Sequence, residues 1–268
     1  MLYILTLNYN KKDLLIRLKN SLLPALKNIE FRWIIKDNGS NDNSIEKIIS
    51  WNNPNIIGIA YPHNRDSYAK GMNFLFSKID NLKDDDLILT LNNDIVFNDT
   101  TSIQNMIDII KNDKEVGMVG AKLNYINDPN KLQHAGVVIS AYKTPMNYKS
   151  GFPEQEVDRK NRLFNMVTGA VAISPAYIFK QVPFNEEYVW AFEDCDQCLR
   201  ISLDLKKKVV YCGNVSIGHE ESASLKSNPI HKLFLNQNIR TFFKFWKDRT
   251  SKEEIVKYSH DSNYRIYK

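Results

Sequence analysis

The stretch LYILTLNYNKKDLLIRLKNSLL, residues 2–23, decides how the fold is read. Leu2-Tyr3-Ile4-Leu5-Thr6-Leu7 is a short apolar run of the kind a buried strand needs, and Asn8-Tyr9-Asn10-Lys11-Lys12 ends it. Over residues 13–26 the period changes, with Leu14, Leu15, Leu18, Leu22 and Leu23 at helical spacing. That is one βα unit, and the alternation continues. Phe31-Arg32-Trp33-Ile34-Ile35 predicts a second strand, stopped by the turn-forming Asp37-Asn38-Gly39-Ser40, with a helix over about 44–51. A third strand over 56–60 leads to a helix over about 67–79, and a fourth over 86–91 to a helix over 100–112. Repeated βα order predicts an α/β domain, a parallel sheet with helices on both faces. Extended pieces at 117–125, 136–141 and 164–174 predict completion of a mixed sheet, and the polar stretch 142–162 predicts a mobile loop.

A chain of 268 residues with 43% hydrophobic content can bury a full core in one large or two closely joined domains. Its 36 Lys and Arg against 31 Asp and Glu leave a mild basic excess. That suits an anionic ligand or membrane surface and lacks the dense clusters of a nucleic-acid binder. No basic leader opens the sequence and no apolar run nears the ~18 residues of a spanning helix, so a soluble, cytoplasmic protein is expected. Cys195, Cys198 and Cys212 make no disulfide framework, and the Cys195/Cys198 spacing falls inside a helical pattern rather than a zinc or redox motif.

Parallel sheets bind ligands beyond the carboxyl ends of their strands, where Asn8-Tyr9, Asp37-Asn38 and Asn92-Asn93-Asp94 all fall. A carboxylate there, beside amides, can hold a divalent ion that also binds a diphosphate, with Asp94 as its anchor. Asp37 can accept from a base or ribose, Tyr9 can cover the base and Asn8 can orient the site. Each cluster taken alone is equally ordinary turn chemistry. Neither GxGxxG nor GxxxxGK[ST] occurs, which removes the main support for dinucleotide dehydrogenases and P-loop NTPases.

Seven segments in order, TLNYN, IIKDNGSNDNS, LILTLNND, LQHAGVVIS, VTGAVAIS, FEDCDQCLR and IGHEESAS, resemble family 2 inverting glycosyltransferases, notably the rhamnosyltransferase-like branch. The resemblance covers about residues 2–222. It implies a GT-A-like, Rossmann-type mixed, mainly parallel sheet flanked by helices. It implies a nucleotide-sugar donor, Mn²⁺ or Mg²⁺, and direct displacement with inversion onto a glycan, polysaccharide or lipid-linked acceptor. By the matched motifs Asp194 is the general base and Glu193 an acceptor or structural partner; Asp94 and His219 hold the metal. Thr6, Asn8, Tyr9, Asp37, Asn38, Arg65, Lys70, Gly71, Asn92, Asn93 and Gly169 fall at donor-binding positions, and Trp190 either stacks on an acceptor sugar or packs into the core. Gln197 and Arg200 orient the helix after Glu193-Asp194, and Glu220 and Glu221 read as loop residues. Gln133-His134-Ala135-Gly136 is recognisable without an assigned role.

Two departures stand out. Asn92 occupies a position where the family usually has Asp, leaving one carboxylate of two. The usual Asn-x-Gly-aromatic-Ala segment appears as Asn64-Arg65-Asp66-Ser67-Tyr68-Ala69, longer by one and without the first glycine. A degenerate, non-catalytic nucleotide-sugar or glycan-binding module is the alternative that Asn92 suggests. The division expected is a catalytic domain over 1–225, with a nucleotide half to about 98, and a helical extension over 226–268. Residues 230–246 predict an amphipathic helix with an apolar stripe of Leu235, Ile239, Phe242 and Trp246 beside basic Arg240, Lys244 and Lys247. It packs on the domain or attaches peripherally to an anionic bilayer.

Overall fold

The computed structural model describes residues 1–61, 66–157, 159–189, 191–220, 230–250 and 266–267. Arg65, Trp190 and Glu221 lie outside the described residues. The chain runs β1 (Leu2–Asn8), α1 (Lys12–Ala25), β2 (Phe31–Asp37), α2 (Ser44–Ser50), β3 (Ile56–Ala60), α3 (Tyr68–Ser77) and β4 (Leu87–Leu91). It continues through β5 (Ile95–Phe97), α4 (Ser102–Asn112), β6 (Val116–Ala121), β7 (Leu123–Tyr125), β8 (Asp128–His134), β9 (Val137–Ile139) and β10 (Pro145–Asn147). The last part comprises β11 (Arg162–Phe164), β12 (Val171–Pro175), α5 (Ala176–Gln181), α6 (Glu193–Leu199), β13 (Lys208–Cys212), β14 (Ile217–His219) and α7 (Ile230–Trp246).

Eight strands form the main sheet in the order β11-β13-β6-β12-β4-β1-β2-β3. β1, β2, β3 and β4 pair in parallel, β12 runs antiparallel to β4 and β6, and β13 is parallel to β6. The central strands β4, β6 and β12 are buried along their whole length, which is why they read as continuous apolar runs. Helices α1, α2 and α4 close one face over Trp33, Leu89 and Ile173; α3 and α5 close the other over Leu5 and Ile88. Each such large apolar side chain contributes about 1.5–3 kcal/mol on burial.

Three expectations are corrected. The pieces at 117–125 and 136–141 do not all join the main sheet: β7 and β8 belong to a separate four-stranded sheet, β5-β14-β7-β8, and β9 pairs with β10, with a single bridge from Val137 to Met166. The stretch 142–162, expected as loop, carries short regular structure among its described residues. Ser140 closes a turn by donating its backbone N–H to the Thr144 carbonyl, and the chain returns as β10 against β9. The apolar pattern predicts a strand over 214–217 before His219, but the Asn214 carbonyl accepts from Asn105 and the Ser216 N–H donates to Asp99, so pairing begins at Ile217 and runs to His219. α4 likewise opens at Ser102 because Asp99 Oδ1 accepts the N–H groups of Thr101 and Ser102.

α7 packs on the domain, with Phe242 and Trp246 fully inside the core formed with Tyr188, Cys195 and Cys198. Leu235 and Ile239 are only half-buried, and Asn238 takes their place on the inward stripe. No helix among the described residues is long and apolar enough to cross a membrane. Residues 266–267 return to the sheet edge, where Ile266 bridges Arg162 of β11 and the Tyr267 hydroxyl donates to Asp113.

Candidate functional site

The parallel register pairs Asn8 with Asp37, so the ends of β1 and β2 bring an amide beside a carboxylate. Asn8 Nδ2 donates to Asp37 Oδ1 at 3.2 Å, and Asn93 Nδ2 donates to Asn8 Oδ1 at 2.9 Å. Ser40 adds its N–H to Asp37 Oδ2 at 3.0 Å and its hydroxyl to Oδ1 at 2.6 Å. Asp37 is therefore spent on joining three loops. Asn38 is spent likewise: its Oδ1 accepts from Lys36 Nζ and the Asp66 N–H, and its Nδ2 donates to the Asp66 carbonyl.

A cleft of about 380 Å³ opens over these strand ends. Tyr9, Asn92, Asn93 and Gly169 line it, together with Glu193, Asp194 and His219. Thr6 does not: it is buried, and its Oγ1 accepts from Trp33 Nε1 at 2.9 Å. Gly71 packs against Leu7, where an added Cβ would stand 2.8 Å from that side chain. Lys70 is exposed on the first turn of α3, its N–H turned to the capping Ser67 hydroxyl. The donor-side expectation thus divides into a lining group and a bracing group.

The small sheet assembles the second part of the site. Asp94 immediately precedes β5 and His219 ends β14; antiparallel pairing sets His219 opposite Ile95. His219 Nε2 lies 3.0 Å from Asp94 Oδ1, and the Glu220 N–H donates to the Asp94 carbonyl at 3.0 Å. Glu220 also pairs with Arg17 of α1. Gln133 of β8 turns its amide oxygen to His219 Nδ1 at 2.5 Å, so Nδ1 donates there and Nε2 is the ring atom turned to Asp94. Asp94 Oδ1 is buried and makes no hydrogen bond among the described residues. An Nε2–H donated to Asp94 satisfies this pair, and so does a cation shared by the two groups. Their 3.0 Å separation is also that of adjacent donors around one small divalent ion with bonds of about 2.0–2.2 Å. The donor set fits such an ion with two protein ligands; no group of three His, Cys, Asp or Glu side chains suits one among the described residues.

The motif left without a role in the sequence acquires two. Gln133 fixes the His219 ring, an outer-shell task. His134 is fully buried; its Nε2 accepts the N–H groups of Gly136 and Thr168, and Nδ1 pairs with Asn147 Oδ1. Burial lowers its pKa to about 4, so it stays neutral and acts as a clamp under the 168–170 segment.

That segment meets the carboxylate pair. The Gly169 N–H donates to Asp194 Oδ2 at 2.8 Å and the Cys195 N–H to Oδ1 at 2.7 Å. An added Cβ at Gly169 would lie 2.9 Å from Asp194 Cβ, so glycine permits this approach. Thr90 Oγ1 donates to the Gly169 carbonyl at 2.9 Å from below. Glu193 is different in kind: it is 7% exposed, its Oε2 has no partner among the described residues, and burial followed by the Asp194 charge pushes its pKa up to about 8. Gln197 and Arg200 tie α6 to the carbonyls of Val182 and Pro183, as orienting residues should. Cys195 and Cys198 are buried on α6, and burial pushes both thiols up.

Three residues escaped the sequence reading. Lys36 is fully buried, held by Asn38 and Asp66 and lying 5.2 Å from the Tyr61 ring; a lysine inside an apolar strand was the visible signal. Tyr68 reaches the Gly169 carbonyl, and burial with the charges of Glu193, Asp194 and Asp94 pushes its hydroxyl well up. Asp196 anchors α6 from within.

A mixed sheet, a cleft over its strand ends and two acidic centres beside it form the frame on which the comparisons bear. Residues 3–176 match Glycosyl transferase family 2, and the chain belongs to that family. No curated protein matches the sequence. Its fold is that of the GT-A glycosyltransferases. GalNAc-T7, crystallised with UDP, GalNAc and Mn²⁺, is similar with a TM-score of 0.70 at 12% identity, over 99% of this chain and 55% of that one. The mannosyltransferase PcManGT of Pyrobaculum calidifontis, in complex with GDP-Man and Mn²⁺, gives 0.64 at 11% identity, over 95% and 67%. S. aureus TarS 1–349 gives 0.55 at 14% identity, over 96% and 77%. The chain thus spans about half the length of the GalNAc-T7 chain it matches.

Proposed function

We propose that this glycosyltransferase transfers a sugar, with inversion, from a nucleotide-sugar donor to an acceptor hydroxyl, using a divalent cation. The observation that carries the reading is that His219, paired with Asp94, and the Glu193-Asp194 pair line one cleft. Asp194, oriented by two backbone N–H groups, takes the acceptor proton as the acceptor oxygen bonds to the anomeric carbon. The bond to the diphosphate oxygen breaks on the opposite side, and its electron pair leaves with the diphosphate. Asp94 and His219 would hold Mn²⁺ or Mg²⁺, which neutralises the departing diphosphate charge when bound. Glu193, holding its proton at neutral pH, offers an O–H to a sugar hydroxyl without repelling Asp194. Tyr9 and Asn92 serve the nucleotide side.

GalNAc-T7 with UDP, GalNAc and Mn²⁺, and PcManGT with GDP-Man and Mn²⁺, support the donor class. The rhamnosyltransferase-like branch and a glycan, polysaccharide or lipid-linked acceptor rest on the sequence resemblance. A thermal-shift screen of UDP-, GDP-, dTDP- and CMP-sugars with and without Mn²⁺, followed by turnover of whichever binds, tests the reading. Metal-dependent binding with turnover supports it; affinity without turnover instead supports the binding module that neutral Asn92 suggests.

A further inference from the structure

The helix that carries the carboxylate pair is entered through a strained residue. Phe192, immediately before Glu193, has φ of +73°, a left-handed backbone that a bulky side chain adopts only when its surroundings impose it. What imposes it comes from far along the chain. On α7, Asn238, Phe242 and Trp246 recur every fourth residue, are 0%, 0% and 2% exposed, and form one inward stripe. Each holds a different point around the pair. Asn238 Oδ1 accepts the Val189 N–H at 3.0 Å on the approach to α6. The Phe242 ring meets the Phe192 ring edge to face, with centroids 5.8 Å apart. Trp246 Nε1 donates to Asp196 Oδ1 at 2.8 Å, one turn into α6. Asp196 is 1% exposed, and its other oxygen accepts from Arg200 Nε at 2.8 Å, so its charge is compensated within the protein. Outside the stripe, Lys244 pairs with Glu187 at 2.8 Å and ties the same segments at the surface.

None of the three stripe side chains lines the cleft. The contact they protect is close: Asp194 meets the Gly169 N–H at 2.8 Å with no room for a Cβ between them. We infer that α7 is a positioning clamp, in which Asn238, Phe242 and Trp246 hold Val189, Phe192 and Asp196 so that α6 presents Glu193 and Asp194 to the cleft. They are positioning residues that set the rate of transfer and leave donor affinity alone. The inference rests on the reading of Asp194 as the base, and it also assigns the apolar face of α7 to this protein's own interior.

The chain carries its own probes. Cys195 and Cys198 are buried on α6, and Cys212 is buried on β13 as an internal control. In Trp246→Phe, which keeps an aromatic ring and removes the indole N–H, and in Phe242→Leu, modification by dithionitrobenzoate should reach Cys195 and Cys198 about tenfold faster by local opening, with Cys212 unchanged. Leu233→Ser, on the exposed side of α7 at 67% exposure, should change none of them. With Mn²⁺ and UDP-N-acetylgalactosamine or GDP-mannose, single-turnover transfer in the two stripe variants should fall about 10- to 100-fold while donor Kd stays at the wild-type value. The clamp is overturned if cysteine reactivity and turnover follow only the melting temperature, or if α6 loosens while transfer keeps its wild-type rate. If the wild-type protein transfers sugar from neither donor, the glycosyltransferase reading fails for them. The cysteine arm then decides the clamp alone, and unaltered reactivity in both variants overturns it.

Discussion

Asp37 and Glu193 are almost equally buried carboxylates in one site, and they are spent in opposite ways. Three donors from Asn8 and Ser40 satisfy Asp37, whereas Glu193 Oε2 has no partner among the described residues and its proton is retained by burial. The same contrast separates Asn8, bonded on both amide atoms, from Asp94, whose buried Oδ1 faces His219 Nε2 and makes no hydrogen bond among the described residues. The β1–β2 side of the cleft is built from polar groups that complete one another; the side formed by α6 and β5 keeps polar atoms without hydrogen-bond partners among the described residues. Polar residues at strand ends therefore sort into architecture and chemistry by whether their hydrogen-bonding capacity is used internally.

That contrast is broken most directly at Asp194. Asp194→Asn should keep donor affinity and lower single-turnover transfer roughly 10²–10⁴-fold, the range of general-base catalysis. Wild-type transfer by this variant would move the base to Glu193. Next comes the metal pair. Asp94→Ala should abolish the Mn²⁺ enhancement of nucleoside diphosphate binding, and Gln133→Leu should weaken it about 10- to 100-fold by freeing the His219 ring. Calorimetric titration with and without Mn²⁺ reads both, and an undiminished enhancement in Asp94→Ala removes Asp94 from the site.

Asp37→Ala should act on stability instead, costing about 1–3 kcal/mol in urea unfolding as the donors of Asn8 and Ser40 lose their acceptor. A fully stable variant that had lost only nucleotide affinity would reverse its assignment to architecture. The smallest effect is a slope. Glu193 is raised from 4.5 to about 8, with Asp194 and Cys195 on its own helix and Tyr68 from α3 facing it. The folded protein thus holds a proton that the unfolded chain releases above about pH 4.5. The stability this contributes is fully present below that pH and lost as pH rises toward 8. Melting temperatures across that window should decline less in Glu193→Gln than in the wild type; parallel curves would show that Glu193 is already ionised.

The nucleotide half was legible because its elements are long enough to show their periods: β3 falls at 56–60 as read, and α1 within a residue of its expected ends. The small sheet was not, because β5, β7 and β14 have three residues each and no period can be seen in three. Gln133 consequently looked idle, since its meeting with His219 depends on the mutual register of four segments spread from residue 95 to 219. Asp37 was legible as a polar strand end but not as a committed one. Its partner Asn8 lies 29 residues away, and nothing local announces how many donors will arrive. Asn238 stayed hidden for another reason: hydropathy scores an asparagine as surface, although this one lies fully inside.

The return of residues 266–267 to β11 has a bearing on handling the protein. β11 is an outer strand of the eight-stranded sheet, paired with β13 on one side, and Ile266 and Tyr267 occupy its other side. An uncovered strand edge recruits edges from other molecules. A version shortened before residue 266 would retain every cleft residue and still bare that edge, so its shortcoming would be self-association in concentrated stocks, visible by light scattering before any loss of ligand binding.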